Sequence, residues 1–193
     1  MKVSIIKYNA GNIRSVDHAL KRLGISAGIT DDPSLIRRSD RVIFPGVGEA
    51  ATTMKYLRER GLDSLIRDLA QPVLGICLGQ QLMCSRSEEG DTPCIGIFDQ
   101  LVKRFPDRGK VPHMGWNSIG HLKGPLFREV EEGSYVYFVH SFYVPDSEET
   151  VARTEYMVPF SAAMQRDNFF ATQFHPEKSG ETGERILSNF LKL

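Results

Sequence analysis

The sequence predicts an α/β fold: an open, mostly parallel sheet flanked by helices, with additional antiparallel strands in the second half. Three observations carry this. Short β-branched runs alternate with helical patterns through the first half, the pattern of strand–helix crossovers that covers a parallel sheet on both faces. Two of those runs read as buried strands: Arg41–Phe44, apolar from Val42 onward, and the apolar Pro72–Ile76. From about residue 100 the helical patterns give way to strand runs joined by turns. A chain of 193 residues, 41% hydrophobic and 25% charged, suits one domain with a substantial core, and residues 1–193 are read as a single domain.

Taken in order, Val3–Tyr8 is the first strand candidate. After Gly11-Asn12 a helix carries Ile13, Val16, Leu20 and Leu23 on one face and ends at Gly24. Ile25–Thr30 reads as a strand. Asp32-Pro33 opens a short helix, with Asp as cap and Pro at the first helical position. Arg41–Phe44 closes on the turn Pro45-Gly46-Val47-Gly48, and helices follow over Glu49–Arg60 and Leu62–Leu69. Pro72–Ile76 leads directly into Cys77 and a helix beginning near Leu78. In the second half Leu101–Phe105, Trp116–Ile119, Tyr135–Phe142, Val151–Tyr156, Ser161–Gln165 and Phe169–Phe174 read as strands that extend or flank the parallel sheet. A final helix is expected from about Thr182, with Thr182 as N-cap, Glu184 in the first turn, and Ile186, Leu187, Phe190 and Leu191 on its apolar face.

Composition narrows the function classes. Lys plus Arg equals Asp plus Glu at 24 each, so no global field points to nucleic acid or an anionic membrane. The longest apolar stretches, such as Val42–Val47 and Tyr135–Val139, are too short to span a bilayer. The N-terminal run lacks a small-residue cleavage site and reads as a strand rather than a signal peptide. Three cysteines give no disulfide framework and no CxxC metal pair, so no metal is expected and the natural compartment is a reducing cytoplasm.

Gly75-Ile76-Cys77-Leu78-Gly79 sits between an apolar strand and a helical pattern, the G-x-S-x-G nucleophile elbow with Cys in place of Ser. A sharp strand-to-helix turn projects the central side chain, and the flanking glycines leave room for the chain to pass. The thiol then lies at a helix N-terminus, where N–H groups and the helix dipole favour a thiolate. The bland alternative is a small buried core residue. Cys84, about two helical turns further on, and Cys94 have no such setting and are read as structural.

A cysteine nucleophile needs a base and a group to orient that base. Of five histidines, His175 follows the strand Phe169–Phe174 and heads His175-Pro176-Glu177. On an extended segment residues i and i+2 project to one side, which places the Glu177 carboxylate beside the imidazole. Pro45-Gly46-Val47-Gly48 ends a neighbouring parallel strand, and its N–H groups are candidates for an oxyanion site. Each of the last two motifs alone would read as an ordinary turn. Together with the elbow they form a Cys, His, Glu series.

These pieces resemble the class I (triad-type) glutamine amidotransferases. The match is Pro-Gly-Val-Gly, then Gly-Ile-Cys-Leu-Gly-Gln-Gln, then Gln-Phe-His-Pro-Glu, and it covers essentially the whole chain. The resemblance implies a flavodoxin-like sheet and a glutaminase without cofactors. Cys77 would attack the glutamine side-chain amide, His175 would act as base and acid, and Glu177 would be its partner. Leu78 and one of Gly46 or Val47 would supply the oxyanion donors. Gln81, with backbone around Ser141 and Phe142, would bind L-glutamine.

Within that family the chain is most similar to the glutaminase subunits of imidazole glycerol phosphate synthases. Val111-Pro112-His113-Met114-Gly115-Trp116-Asn117, Tyr137-Phe138-Val139-His140-Ser141-Phe142-Tyr143 and Gly11-Asn12-Ile13-Arg14-Ser15-Val16 carry this narrower likeness, with Phe142 where Tyr is common. It implies a heterodimer with a (β/α)8-barrel cyclase that takes the ammonia, contacted through Asn12, Met114, Trp116 and Lys178. The chain has no G-x-x-x-x-G-K-[ST] loop and no second catalytic cluster, so acceptor chemistry belongs on another polypeptide. Alternatives left open are a different acceptor synthase, a stand-alone γ-glutamyl cysteine hydrolase, and a non-catalytic module with a decayed site.

Overall fold

The computed structural model describes residues 1–8 and 12–193. The expected Gly11 of the first helix entry lies outside these. The elements run β1 (Val3–Ile6), α1 (Ile13–Arg22), β2 (Gly28–Thr30), α2 (Pro33–Arg37), β3 (Arg41–Gly46), α3 (Ala50–Glu59), α4 (Leu62–Arg67), β4 (Val73–Cys77) and α5 (Leu78–Met83). They continue with β5 (Cys84–Ser87), β6 (Thr92–Pro93), β7 (Phe98–Arg104), β8 (His113–Ser118), β9 (Tyr135–His140) and β10 (Phe142–Tyr143). The chain closes with β11 (Thr150–Tyr156), β12 (Val158–Arg166), β13 (Phe169–Thr172) and α6 (Gly180–Leu191).

The main sheet has the order β11-β12-β13-β4-β3-β1-β2. β2, β1, β3, β4 and β13 are parallel neighbours, and β12 and β11 are added antiparallel at one edge. This is the expected mixed sheet. Strand side chains alternate between two cores: Ile5, Ile43, Leu74 and Ile76 face α1 and α6, while Ile6, Val42, Phe44 and Val73 face α3, α4 and α5. Burial on both faces explains why these strands read as unbroken apolar runs. Asp32 caps α2 as the sequence indicates, its carboxylate accepting from the Ser34 N–H at 2.7 Å.

Several expectations need correction. The helix after the elbow is shorter than the pattern suggests: it stops at Met83, and Cys84 begins a strand that pairs with β7. β10, β7, β5 and β6 form a separate four-stranded sheet, and β8 and β9 a two-stranded ribbon. The expected strand Tyr135–Phe142 is broken at Ser141, where the chain leaves β8 and joins β7. α6 starts at Gly180 rather than Thr182, so Thr182 lies inside the helix and is not its cap. The shift follows from the turn before it: Ser179 spends its hydroxyl on the His175 carbonyl and on the Tyr137 N–H, locking the helix entry two residues early.

Candidate active site

β4 sits near the middle of the sheet, and its last residue, Cys77, turns sharply into α5 with φ 54° and ψ −107°. Positive φ in a residue with a side chain costs about 1–3 kcal/mol and persists only where the surroundings enforce it. Here the surroundings are backbone. A Cβ on Gly79 would sit 2.1 Å from the Phe44 carbonyl oxygen, and one on Gly46 would sit 2.6 Å from the Gly79 nitrogen. Glycine at both positions lets β3 and α5 close on the elbow from two sides. Gly46 pairs in register with Cys77, so the Pro45–Gly48 turn lies beside the thiol as the sequence predicts.

His175 and Glu177 arrive from the end of β13, which lies next to β4. His175 Nδ1 lies 2.7 Å from Glu177 Oε1, and both side chains are fully buried. The route differs from the expected extended segment: Pro176–Lys178 is a single 3-10 turn that folds the carboxylate back onto the ring. The turn is clamped to β9 by the His175 N–H on the Tyr137 carbonyl at 2.9 Å. Asn12 joins this pair. Its Nδ2 donates to Glu177 Oε1 and lies 3.3 Å from His175 Nδ1. Because Nδ1–H already points to the carboxylate, that carboxylate is the acceptor both donors share.

With Nδ1 committed to Glu177, Nε2 is the nitrogen left for the thiol. Burial opposes a charge on His175, but the Cys77 thiolate and then Glu177 outweigh it and raise the imidazolium to about 10. The contact is electrostatically strong yet not a well-aligned hydrogen bond. Nε2 has no partner of good geometry among the described residues, and Cys77 Sγ lies 3.8 Å from both the Val139 carbonyl and Gln173 Nε2. Resting sites of this type are often looser than the reacting complex.

A cavity of about 320 Å³ opens over the thiol, lined by Val47, Cys77, Leu78, Gln81, Ser141 and Phe142 among others. That size lies at the small end of the range for small-molecule sites. Of the residues singled out from sequence, those six meet in the cavity wall, while Gly46, His175 and Glu177 lie behind it. Gln81 Nε2 donates to the Phe142 carbonyl at 2.9 Å and to Gln173 Oε1 at 3.0 Å. Sequence reasoning missed Glu89, which lines this cavity from a 3-10 turn with its Oε2 accepting the Ala50 N–H at 2.8 Å, and Gln173, which is fully buried between Gln81 and the thiol. Gln173 stands two residues before His175 inside a motif already noted, so strand alternation alone pointed it to the same side. Glu89 carried no local signal beyond the acidic pair Glu88-Glu89.

Met114, Trp116, Tyr135 and Tyr137 share the outer face of the β8–β9 ribbon with Val139. Met114 is 61% exposed, Trp116 56% and Tyr135 61%. Lys178 Nζ lies 6.0 Å from the Tyr137 ring centre, and Trp116 packs edge-on against the same ring. The expected contact residues Met114, Trp116 and Lys178 thus form one patch, whereas Asn12 reaches inward to the His175–Glu177 pair.

No helix among the described residues is long and apolar enough to cross a membrane, and no cluster of three or more His, Cys, Asp or Glu is placed to hold a metal ion.

Comparison with known proteins fits this geometry. Residues 4–193 match the family described as "Glutamine amidotransferase class-I". The "Imidazole glycerol phosphate synthase subunit HisH" of Bacteroides fragilis (strain YCH46) is 64% identical, with all of both chains covered. The protein of the same name from Yersinia pseudotuberculosis serotype I is 45% identical, again over the full length of both. A solved structure titled "Crystal structure of glutamine amidotransferase" shares the fold, with TM-score 0.78 at 22% identity over all of this chain and 98% of that one. The chain belongs to the class-I glutamine amidotransferase family.

Proposed function

We propose that this chain is the glutaminase subunit of an imidazole glycerol phosphate synthase, hydrolysing L-glutamine and handing the ammonia to a (β/α)8-barrel cyclase subunit. The observation that carries the chemistry is the buried Cys77–His175–Glu177 series, with the thiol alone of the three facing a small cavity. Full-length relatives that carry the synthase name, at 64% and 45% identity, support the choice of acceptor.

In this reading the Cys77 thiolate attacks the carbonyl carbon of the glutamine side-chain amide. Negative charge collects on the carbonyl oxygen, held by the Leu78 N–H at the start of α5 and one N–H from Gly46 or Val47. The C–N bond breaks as His175 Nε2–H protonates the departing nitrogen, releasing ammonia and leaving a glutamyl thioester. Water then enters, gives a proton to the now neutral His175, and releases glutamate from the sulfur. Glu177 holds the ring so that Nε2 faces the thiol and offsets its charge; Asn12 holds Glu177. Gln81 and the Ser141–Phe142 backbone seat the substrate, and the Glu89 carboxylate suits its α-ammonium group.

The exposed apolar face of the ribbon supports the partner. Met114, Trp116 and Tyr135 form a patch continuous with Val139, whose carbonyl contacts the thiol. A cyclase seated there shields the route that ammonia must take. Escape into water would convert most of it to ammonium, which is not nucleophilic. Lys178 at the patch edge pairs with a partner carboxylate, and Trp116 anchors the contact.

The test is product formation by the reconstituted heterodimer. Glutamine-driven synthesis should fall below about 10⁻⁴ of wild type in Cys77→Ala, the range seen when a covalent nucleophile is removed. Synthesis from ammonium salts at high pH should persist. Retention of glutamine-driven activity would remove Cys77 from its role, and retained glutamine hydrolysis without any cyclase stimulation would favour a stand-alone hydrolase.

A further inference from the structure

Two buried histidines take no part in the chemistry above. His113 on β8 and His140 on β9 stand directly opposite each other across the ribbon, both facing inward. They lie in a layer of rings: His113 stacks on Phe138 and Tyr156, and Phe105 and Phe160 pack against both. A pair of imidazoles here would be readily replaced by apolar side chains if packing were their only task.

Their hydrogen bonds run in one direction. The Phe142 carbonyl can only accept, so His140 Nδ1, 2.7 Å away, carries the proton. Burial lowers His140 to about 3, with the hydrogen bond to the Phe142 carbonyl opposing the shift and the nearby His113 and His175 adding to it, so the ring is neutral and its Nε2 is an acceptor. His113 Nδ1, 3.0 Å from that Nε2, must then donate. His113 is held neutral as well, lowered to about 4 by burial, so its Nε2 accepts from Asn117 Nδ2 at 3.5 Å. Asn117 is itself oriented, its Oδ1 taking the Ser118 N–H at 2.9 Å and its Nδ2 also donating to the Glu155 carbonyl at 2.9 Å. The charged or titratable groups acting on this pair are each other and His175; the remainder of the layer is aromatic.

We propose that Asn117, His113 and His140 form a one-way hydrogen-bond relay that positions the Ser141–Phe142 wall of the substrate cavity. The Phe142 carbonyl receives His140 Nδ1–H from one side and Gln81 Nε2–H from the other. Two donors occupy both lone pairs, so that peptide is turned into the protein and its neighbours are turned toward the cavity. β9 breaks at Ser141, where the chain passes from β8 to β7 with the Ser141 carbonyl taking the Phe105 N–H at 3.1 Å, and the relay adds the donor that orients the Phe142 peptide at that crossover. His113 and His140 are therefore positioning residues for glutamine binding. The proposal deepens the glutaminase reading and rests on it.

Two measurements on the full heterodimer test it. Steady-state kinetics compare His113→Leu, which removes the donor, with His113→Asn, whose amide N–H lies near the place of Nδ1. His113→Leu should raise KM for glutamine about tenfold with kcat little changed, the effect of losing one buried hydrogen bond. His113→Asn should recover most of it, and synthesis from ammonia should be unaffected in both. Equal KM in the Leu and Asn variants, whether normal or impaired, would overturn the relay. The second measurement needs no substitution: imidazole ¹⁵N shifts of the wild-type protein should show His113 and His140 as neutral Nδ1–H tautomers throughout pH 5–9. An Nε2–H tautomer or a titration in that range contradicts the proposal even if the Leu variant fails to fold. Failure of the wild-type heterodimer to use glutamine at all would instead sink the glutaminase reading, and the ¹⁵N result would still decide the relay.

Discussion

On one side of the cavity Gly46 and Gly79 bring three backbone segments into contact around Cys77; on the other, the Phe142 carbonyl hangs on side-chain hydrogen bonds from Gln81 and His140, next to a single backbone bond from Phe105 to Ser141. The first wall is built by excluded volume. Nothing larger than hydrogen fits between Gly79 and the Phe44 carbonyl, so the elbow has little freedom to relax. The second wall is a break between two strands, held by donors that reach it from elsewhere. In the proposed mechanism backbone packing fixes the nucleophile, where a small displacement costs rate, and a polar network fixes the substrate wall, where displacement costs affinity.

Three changes sharpen or break that contrast. The largest effect belongs to the triad behind the elbow: Glu177→Gln should lower kcat for glutamine by about 10²–10⁴-fold, as loss of the orienting carboxylate leaves the imidazolium unsupported. KM should move little, and rapid-quench kinetics in the heterodimer give both values. A matching rise in KM would mean that Glu177 serves the substrate wall instead.

Next comes the elbow wall itself. Gly79→Ala places a Cβ against the Phe44 carbonyl and should cost about 3 kcal/mol of folding stability, within the range for forced overpacking. Urea unfolding measures it. The His113→Leu change on the opposite wall should cost less stability while raising KM. If both changes altered stability equally, the two walls would not differ in kind.

The third change is in the pH dependence of stability. An unfolded histidine titrates near 6.5, whereas His175 in the folded chain is raised to about 10. The native state therefore holds this proton more tightly. Its contribution is complete below about pH 6.5 and is lost as pH rises through about 10. Denaturation midpoints of wild type should converge toward those of Cys77→Ala, which lacks the largest source of the upward shift, as pH is raised from 7 to 10.

The two walls were not equally legible in the sequence. The elbow announces itself locally: an apolar strand, glycines two positions either side of Cys77, and a helical pattern after it. The parallel core was legible for the same reason, since strands buried on both faces spell unbroken apolar runs. The placement of Glu177 beside His175 was legible although its backbone was misjudged, because a short tether after Pro176 brings the carboxylate to the ring by an extended segment or by a 3-10 turn.

The other wall depends on register. His113 and His140 are 27 residues apart, and only the β8–β9 pairing puts them opposite each other. The early end of α5 has the same origin: Cys84–Ser87 is drawn into pairing with β7, a tertiary preference that no local propensity records. Asn12 likewise stands 163 residues from His175, so its hold on the triad carboxylate had no sequence signal, and it was expected only at a subunit contact.

The most direct check on the whole mechanism is the covalent intermediate. The heterodimer, mixed with glutamine and quenched in acid during turnover, should yield a Cys77-bearing peptide heavier by one glutamyl group, absent from Cys77→Ala and lengthened in lifetime when deacylation is slowed. Sustained glutamine turnover with Cys77 never modified, or with the glutamyl group on Cys84 or Cys94 instead, would contradict the assignment of the elbow thiol as nucleophile.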